Sequence, residues 1–144
     1  MAGHISLVNT EGNDPQFNMP CTAAIKVMSV RPAYLAGVTA APVYTVIPMS
    51  RRISREYRGT PSEQARMCMD NLERVLESAG GHLSDVVDMT RYIVDVEGNQ
   101  DAINRVLGQR LGAHRPATTT VEVVRLATDP RLVLEIHAVA YVSE

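Results

Sequence analysis

The segment from Leu132 to Val142 has an apolar residue at every second position, which predicts a β-strand with one buried face. Its even-numbered positions are all apolar: Leu132, Leu134, Ile136, Ala138, Ala140 and Val142. Successive side chains of a strand point to opposite faces, so these six are expected to face a hydrophobic core together. The odd positions include Glu135 and His137. A carboxylate and an imidazole therefore share the outward face of an otherwise aliphatic strand.

A second strand is predicted just upstream, where three consecutive threonines, Thr118 to Thr120, follow a Pro-Ala pair. We expect a short turn to join the two strands, so that Arg115–Ser143 forms one wall of a small-molecule site. Thr118 and Thr120 point to the same face of their strand, and Thr119 points to the other. Threonine is also a good strand former, so a binding role and a purely structural role both stay open for each hydroxyl.

The sequence Thr60-Pro61-Ser62-Glu63 predicts the start of an amphipathic helix. Thr60 is the expected N-cap, Pro61 suits the first helical position, and Glu63 completes a capping box. The apolar residues that follow have the spacing of one buried helical face: Ala65, Cys68, Met69, Leu72, Val75, Leu76 and Ala79. Gly80-Gly81 is expected to end the helix through a left-handed C-cap.

The run Val86–Val96 predicts a strand because it is rich in β-branched residues. Its expected common face is formed by Val86, Thr90, Tyr92, Val94 and Val96. Asn99 is the expected N-cap of a second helix, which Gly112 should end. The inward-facing residues of that helix are predicted to be Ala102, Ile103, Val106, Leu107 and Leu111.

The first 60 residues predict strands followed by a long loop. Thr22–Val30 and Ala33–Thr39 read as a β-hairpin or two consecutive strands, after a short strand at His4–Val8. Gly37 lies inside the second run, where a glycine often marks a close approach to the backbone by a ligand or another chain. Residues 41–60 are irregular, with an optional strand at Val43–Ile47. Their arginine-rich part, residues 48–60, is either a functional loop or a solvated charged excursion.

The predicted order β-β-(β)-α-β-α-β-β indicates an α+β fold in a single domain, residues 1–144, with two helices on one face of a mixed sheet. The other sheet face would carry Val133, Val139 and Tyr141, which is too apolar for free exposure. We therefore expect the protein to oligomerise through this face.

Composition argues against several classes of function. The net charge is −2, and the aromatic residues are one Phe, five Tyr and no Trp, so we expect no nucleic-acid partner. No apolar run reaches the roughly 20 residues of a membrane helix, and no signal peptide is evident, which favours a cytoplasmic protein without membrane contact. Cys21 and Cys68 are expected to be reduced. Metal-ligand spacing, a GxGxxG motif and a P-loop are all lacking, so we predict neither a metal nor another cofactor.

Three blocks of the chain stand in a recognisable order: Asn-Leu…Ala-Gly…Leu-Ser-Asp-Val-Val, an Arg-Pro-Ala entry and a terminal Glu-Ile-x-Ala-x-Ala. In these blocks the chain resembles the Rid (YjgF-like) family of enamine/imine deaminases, from about Ala33 to Val142. The resemblance implies a chorismate-mutase-like α+β fold that forms homotrimers. It also implies ligand sites in the clefts between subunits.

The resemblance also implies roles for individual residues. In the best-studied branch a glutamate of the last strand orients or activates the water that hydrolyses a 2-imino acid, and this position is Glu135. The arginine that clamps the substrate carboxylate after Pro-Ala is replaced by Thr118. The small polar residue two positions later matches Thr120, and the strand glycine matches Gly37. A substrate carboxylate could instead be held by Arg115 or by an arginine of the long loop, although Arg115 could equally cap the helix that ends at Gly112.

We therefore expect a cofactor-free hydrolytic deaminase of an enamine or imine metabolite other than the usual 2-imino acids. Glu135 is the predicted catalytic residue. The predicted substrate-binding residues are Thr118, Thr120, Gly37 and Arg115. The alternatives are a non-catalytic trimeric protein that binds or responds to small molecules, and a proton-transfer reaction such as enamine–imine tautomerisation.

Overall fold

The computed structural model describes residues 5–8, 24–27, 32–42 and 59–142. Its strands are β1 (Ile5–Val8), β2 (Ala24–Val27), β3 (Pro32–Val38), β4 (Val86–Val94), β5 (Ala117–Val123) and β6 (Leu134–Tyr141). Its helices are α1 (Pro61–Ser78), which precedes β4, and α2 (Val96–Leu111), which follows it. The predicted strands around His4–Val8, Thr22–Val30 and Ala33–Thr39 are confirmed. The optional strand at Val43–Ile47 and residues 48–58 of the arginine-rich loop lie outside the described residues.

The six strands form one mixed sheet in the order β1-β2-β3-β6-β4-β5. β4 and β5 are parallel, joined by the crossover through α2, and all other neighbours are antiparallel. The predicted short turn between the last two strands is wrong, since β4 lies between β5 and β6 and residues 124–133 connect them. Burial explains the placement, because β6 has a fully apolar face suited to the sheet centre. The threonine-rich β5 is mostly exposed, as suits an edge.

Both helices pack on the same face of the sheet, as predicted. The six even-numbered apolar residues from Leu132 to Val142 are between 0% and 2% exposed. The seven apolar residues predicted on one side of α1 are also buried, and they meet β3 and β6 in the main core. The core therefore lies between β3, β6 and β4 on one side and the two helices on the other.

The capping of α1 is confirmed. The Thr60 Oγ1 accepts a hydrogen bond from the Glu63 backbone N–H at 3.3 Å, and the Glu63 carboxylate accepts one from the Thr60 N–H at 2.6 Å. At the other end Gly80 has a φ of +80°, the left-handed conformation that favours glycine. The Gly81 N–H then reaches back to the Leu76 carbonyl at 2.8 Å, which closes the helix end.

The predicted common face of β4 is wrong because the strand contains a bulge. Val86 pairs with Ala140, but Asp88 pairs with Val139, so Val87 has no counterpart on β6. The extra residue turns Val86 toward the helices. The open face is the sheet face opposite the helices, and it carries Thr90, Tyr92 and Val94. On the other face, Met89 and Ile93 are buried beneath the helices. Val96, predicted to belong to the strand, is the first residue of α2.

The start of α2 also differs from the prediction. The N-cap is Asp95, one turn before Asn99, and its side chain accepts a hydrogen bond from the Gly98 N–H at 3.2 Å. Asn99 instead donates its amide to the Val94 carbonyl at 2.6 Å. The end of the helix at Gly112 is confirmed. Of the predicted inward residues, Ile103, Val106 and Leu107 are buried, Leu111 is partly buried against the core, and Ala102 is half-buried.

Part of the sheet face opposite the helices lies beneath the connection after β5, where Leu126 and Ala127 stand beside Tyr92 and Glu135. Elsewhere on this face Val139 is half-buried and Tyr141 is 55% exposed, whereas Val133, predicted for the same face, packs against the main core. Neither described helix has an apolar stretch that would allow it to cross a lipid bilayer.

Candidate functional site

Glu135 lies on the open face of the sheet, in the central strand β6. On one side it is the register partner of Tyr92 in β4. On the other side β3 contains a second bulge, because Leu35 pairs with Ala138 while Val38 pairs with Ile136. Ala36 and Gly37 therefore stand opposite the single residue His137. The bulge brings the Gly37 backbone toward the carboxylate.

The carboxylate of Glu135 lies directly against Gly37. A β-carbon built on Gly37 would lie only 2.1 Å from Glu135 Oε1, so any side chain at this position would require the carboxylate to move. The sequence predicted a close approach at Gly37 by a ligand or by another chain. In the structure the group that approaches is a carboxylate of the same chain.

Burial determines the electrostatics of Glu135. The side chain is half-buried, and this desolvation raises its pKa above the ordinary glutamate value, while the nearby His137 acts in the opposite direction. In the described part of the chain, the structure records neither a hydrogen bond nor an ion pair to the carboxylate. An unpaired glutamate with a raised pKa is suited to accept a proton from water or to return one.

A cavity of about 200 Å³ lies beside the carboxylate. It is lined by Tyr92, Val123, Arg125, Leu126, Ala127 and Glu135. This volume is below the range of drug-sized pockets, so the cavity suits a small metabolite. Within the described ranges, no three His, Cys, Asp or Glu side chains converge on a point that could hold a metal ion.

Arg125 is the lining residue that sequence reasoning missed. Its Nε donates to the Leu126 carbonyl at 3.3 Å, and the residue lines the cavity that Glu135 also lines. The sequence does contain a signal for it. Counting by two from Thr119, which lies on the open face beside Thr90, the positions 121, 123 and 125 fall on that face too.

Thr118 and Thr120 lie on the opposite side of the sheet from Glu135. They are the register partners of Met89 and Arg91, whose side chains point toward the helices. The Thr118 hydroxyl donates to the Pro116 carbonyl at 3.0 Å, and Thr120 accepts hydrogen bonds from Arg91. The single wall expected from Arg115–Ser143 is therefore not formed within one chain.

Of the two roles expected for Arg115, capping the end of α2 or binding a substrate carboxylate, the structure shows the first. Its Nη1 donates to the Gly112 carbonyl and, at 2.7 Å, to the His114 carbonyl, so the guanidinium closes the C-terminal end of α2. In this arrangement Arg115 is not near Glu135.

The first helix holds the bulged end of β3 in place. The Asn71 amide donates to the carbonyls of Thr39 and Ala41, both at 2.8 Å. The Cys68 thiol donates to the Val38 carbonyl at 3.3 Å. Burial, and then the negative charge of Glu135, raise the pKa of Cys68 far above its usual range. This thiol is therefore an inert part of the scaffold behind the carboxylate.

Comparisons with known proteins agree with this arrangement. The family model described as Endoribonuclease L-PSP matches residues 47–142. A RutC family protein of Pyrococcus horikoshii is 34% identical over 95 residues, which cover 66% of this chain and 73% of the relative. TdcF of Escherichia coli, named a reactive intermediate deaminase, is 32% identical over 80 residues, which cover 54% of this chain and 61% of the relative.

Solved structures show the same fold. A member of the YjgF/YER057c/UK114 family from Mycobacterium tuberculosis superimposes with a TM-score of 0.74 at 27% identity, covering 96% of this chain and 99% of that one. A Thermotoga maritima protein described as an endoribonuclease superimposes with a TM-score of 0.76 at 24% identity, covering 96% and 98%. The mixed sheet with two helices on one face is thus the α+β, chorismate-mutase-like fold. The matched family model and these relatives establish that the chain belongs to the Rid (YjgF-like) family.

Proposed function

We propose that the protein is a cofactor-free hydrolytic deaminase that converts an enamine or imine metabolite into a carbonyl compound and ammonia. The observation that supports this most directly is the Glu135 carboxylate. It is unpaired in the described chain, its pKa is raised, and it lies beside a cavity of about 200 Å³. The relative TdcF is named a reactive intermediate deaminase, which supports a deamination reaction.

The proposed chemistry requires one group that accepts and returns a proton. An enamine first gains a proton at carbon and loses one from nitrogen, which gives the imine. Glu135 takes a proton from water as the water oxygen bonds to the imine carbon, and it passes this proton to the nitrogen, which gives the carbinolamine. The carboxylate then takes the hydroxyl proton and gives it to the leaving nitrogen as the C–N bond breaks and the carbonyl forms. The sum is C=NH plus H₂O giving C=O plus NH₃, with the carboxylate regenerated.

The placement of the threonines supports a site shared between subunits. Thr118 and Thr120 lie on the edge strand β5, and one chain does not bring them to Glu135. In the homotrimer that we propose, β5 of one subunit lies near Glu135 and Gly37 of another. The mostly exposed edge strand and the uncovered part of the apolar sheet face are both suited to such contacts.

The residues around the proposed site also indicate which type of substrate it suits. Position 118 carries a threonine, so the bidentate clamp expected for ordinary 2-imino acids is not supplied there. Arg125 offers a positive charge at a different place, beside Tyr92. We infer a small substrate other than the usual 2-imino acids, handled by a cytoplasmic enzyme.

The test is to generate imines in situ from a panel of amines and amino acids with an oxidase, and to measure ammonia and carbonyl release. Wild-type protein should accelerate release from at least one imine. Glu135→Gln should reduce that acceleration by at least about 100-fold, as expected for loss of a general base. Glu77→Gln, a matched change at an exposed position of α1, should have no effect. If wild-type protein accelerates none of these reactions, the non-catalytic binding protein becomes the better proposal.

A further inference from the structure

Arg91, in β4, is a half-buried cation without a carboxylate partner in the described chain. Its Nε and Nη2 both donate to Thr120 Oγ1, at 3.1 Å and 2.6 Å. Its Nη1 donates to Asn104 Oδ1 at 2.6 Å. A guanidinium removed from water is normally matched by a carboxylate, because the buried charge is costly. Here two neutral oxygens of the protein take its hydrogen bonds.

These contacts constrain the hydroxyl of Thr120. A hydroxyl has two acceptor lone pairs and one proton to donate. Two N–H groups of Arg91 occupy the acceptor side, so the proton of Thr120 must point away from the guanidinium. No acceptor for this proton is found among the described residues.

The positive charge behind the oxygen also makes the hydroxyl a stronger donor, because hydrogen bonds in a chain polarise one another. Thr118 differs, since its proton is already taken by the Pro116 carbonyl at 3.0 Å. Of the two hydroxyls predicted to bind substrate, Thr120 is therefore the one that keeps a proton to donate.

We propose that Arg91 acts through Thr120 to form a polarised hydroxyl donor that binds one oxygen of a carboxylate-bearing enamine or imine. This inference rests on the proposed deaminase function. Arg91 is a positioning residue, and Thr120 makes the contact. An arginine at position 118 would place its positive charge directly against the carboxylate. Here the positive charge comes from Arg91 in β4, the strand that lies beside β5 toward the centre of the sheet. A single hydroxyl holds one carboxylate oxygen rather than two, which allows a different substrate geometry from a bidentate clamp.

Two readouts test the inference: binding of pyruvate, used as a small carbonyl probe that carries a carboxylate, by calorimetry, and turnover of the carboxylate-bearing imine that wild-type protein hydrolyses in the panel described above. Arg91→Met and Thr120→Val should each raise the pyruvate Kd and the KM about tenfold, with kcat within about twofold of wild type. The double variant should be no worse than Thr120→Val alone, because Arg91 acts through that hydroxyl. Thr120→Ser, which keeps the hydroxyl, should retain wild-type binding.

Arg105→Met is the matched control, since it removes an exposed arginine of α2 by the same substitution. Thermal unfolding of each variant shows whether it folds, and if Arg91→Met does not fold, Arg91→Lys takes its place with a smaller expected rise in Kd. If pyruvate does not bind to wild-type protein, or if the Arg91 variant matches the Arg105 control, the inference is overturned. If the Arg91 variant turns over the imine as wild-type protein does, this inference is overturned, while the proposed deaminase function stands. Arg91-dependent pyruvate binding without any imine turnover supports the carboxylate site and removes the deaminase.

Discussion

Gly37 and Glu135 are in contact across the β3–β6 pair, where a β-carbon on the glycine would lie 2.1 Å from the carboxylate oxygen Oε1. Gly37 is not among the residues with a positive φ, so the backbone there would accept an L side chain without strain. The lack of a side chain at this position makes room for the carboxylate. A substitution here therefore tests the position of Glu135 with little effect on the backbone.

We predict that Gly37→Ala lowers kcat/KM for imine hydrolysis by about 100-fold. The added methyl group must displace the carboxylate by about 1 Å or more, and misplacement of a reacting group by that distance costs about this much. Ammonia release from an imine generated in situ measures the effect. Gly108→Ala is the control, because beyond the neighbouring backbone of α2 no atom lies within 4 Å of the added carbon. As it replaces a glycine within α2, it should stabilise the protein by about 0.5–1 kcal/mol. An active Gly37→Ala enzyme would show that the contact is not needed.

We predict that the pH dependence of both activity and stability changes in Glu135→Gln. Burial raises the pKa of Glu135 in the folded protein above 4.5, its ordinary value. Activity that needs the ionised carboxylate should therefore rise with pH along a limb that lies above pH 4.5. The folded state binds this proton more tightly than the unfolded state, so the contribution of Glu135 to stability is present below pH 4.5 and is lost as pH rises through the folded pKa.

Removing the titrating group should consequently stabilise the protein at pH 7 relative to wild type, and this gain should disappear below pH 4.5. Urea unfolding of both proteins at pH 4 and pH 7 measures the difference. A gain in stability that is the same at both pH values would show that desolvation of the carboxylate is not the cause.

We predict that Thr60→Ala destabilises the protein by about 1 kcal/mol, since it removes the hydroxyl that accepts from the Glu63 N–H at the start of α1. The reverse bond, from the Thr60 N–H to the Glu63 carboxylate, can remain. Ser62→Ala, two residues on, is the control. Chemical denaturation should separate the two variants by this amount, and equal stabilities would count against the capping box.

We predict that Cys68 does not react with thiol reagents in the native protein. Its side chain is 0% exposed, and burial raises its pKa far above the usual range, so the reactive thiolate is absent at neutral pH. A Cys21→Ser variant leaves Cys68 as the only thiol. Labelling with a chromogenic disulfide should be undetectable before urea is added and complete afterwards. Rapid labelling of the native variant would show that α1 separates readily from the sheet.

Much of the fold could be predicted from local patterns. The alternation in β6 and the capped, amphipathic α1 each depend on interactions within a few residues, and both are confirmed. The errors occur where a distant strand determines the outcome. Val87 is an extra residue only in relation to its neighbour β6, so the phase of β4 could not be read from β4 itself. Likewise, the position of β5 at the sheet edge depends on the crossover through α2.

In the candidate site, too, local features could be predicted from the sequence, and features that depend on a distant strand could not. The outward face of Glu135 was predicted from alternation within one strand. The contact with Gly37 depends on a bulge in β3, and the hydrogen bonds from Arg91 to Thr120 depend on the register of two parallel strands. Arg125 lies in the connection beyond β5, and its part in the cavity depends on how that connection folds back toward Glu135.

The central position of β6 has a consequence for synthesis of the protein. β6 lies between β3 and β4, although the ribosome makes it after both. Until residues 134–141 have emerged, the sheet is divided into two pieces with unpaired edges, and the apolar side of α1 lacks one of its two partner strands. Folding must therefore be completed late, by insertion of the last strand into a gap. During that interval the open edges are the part of the nascent chain most exposed to mispairing, and thus the part most in need of a chaperone.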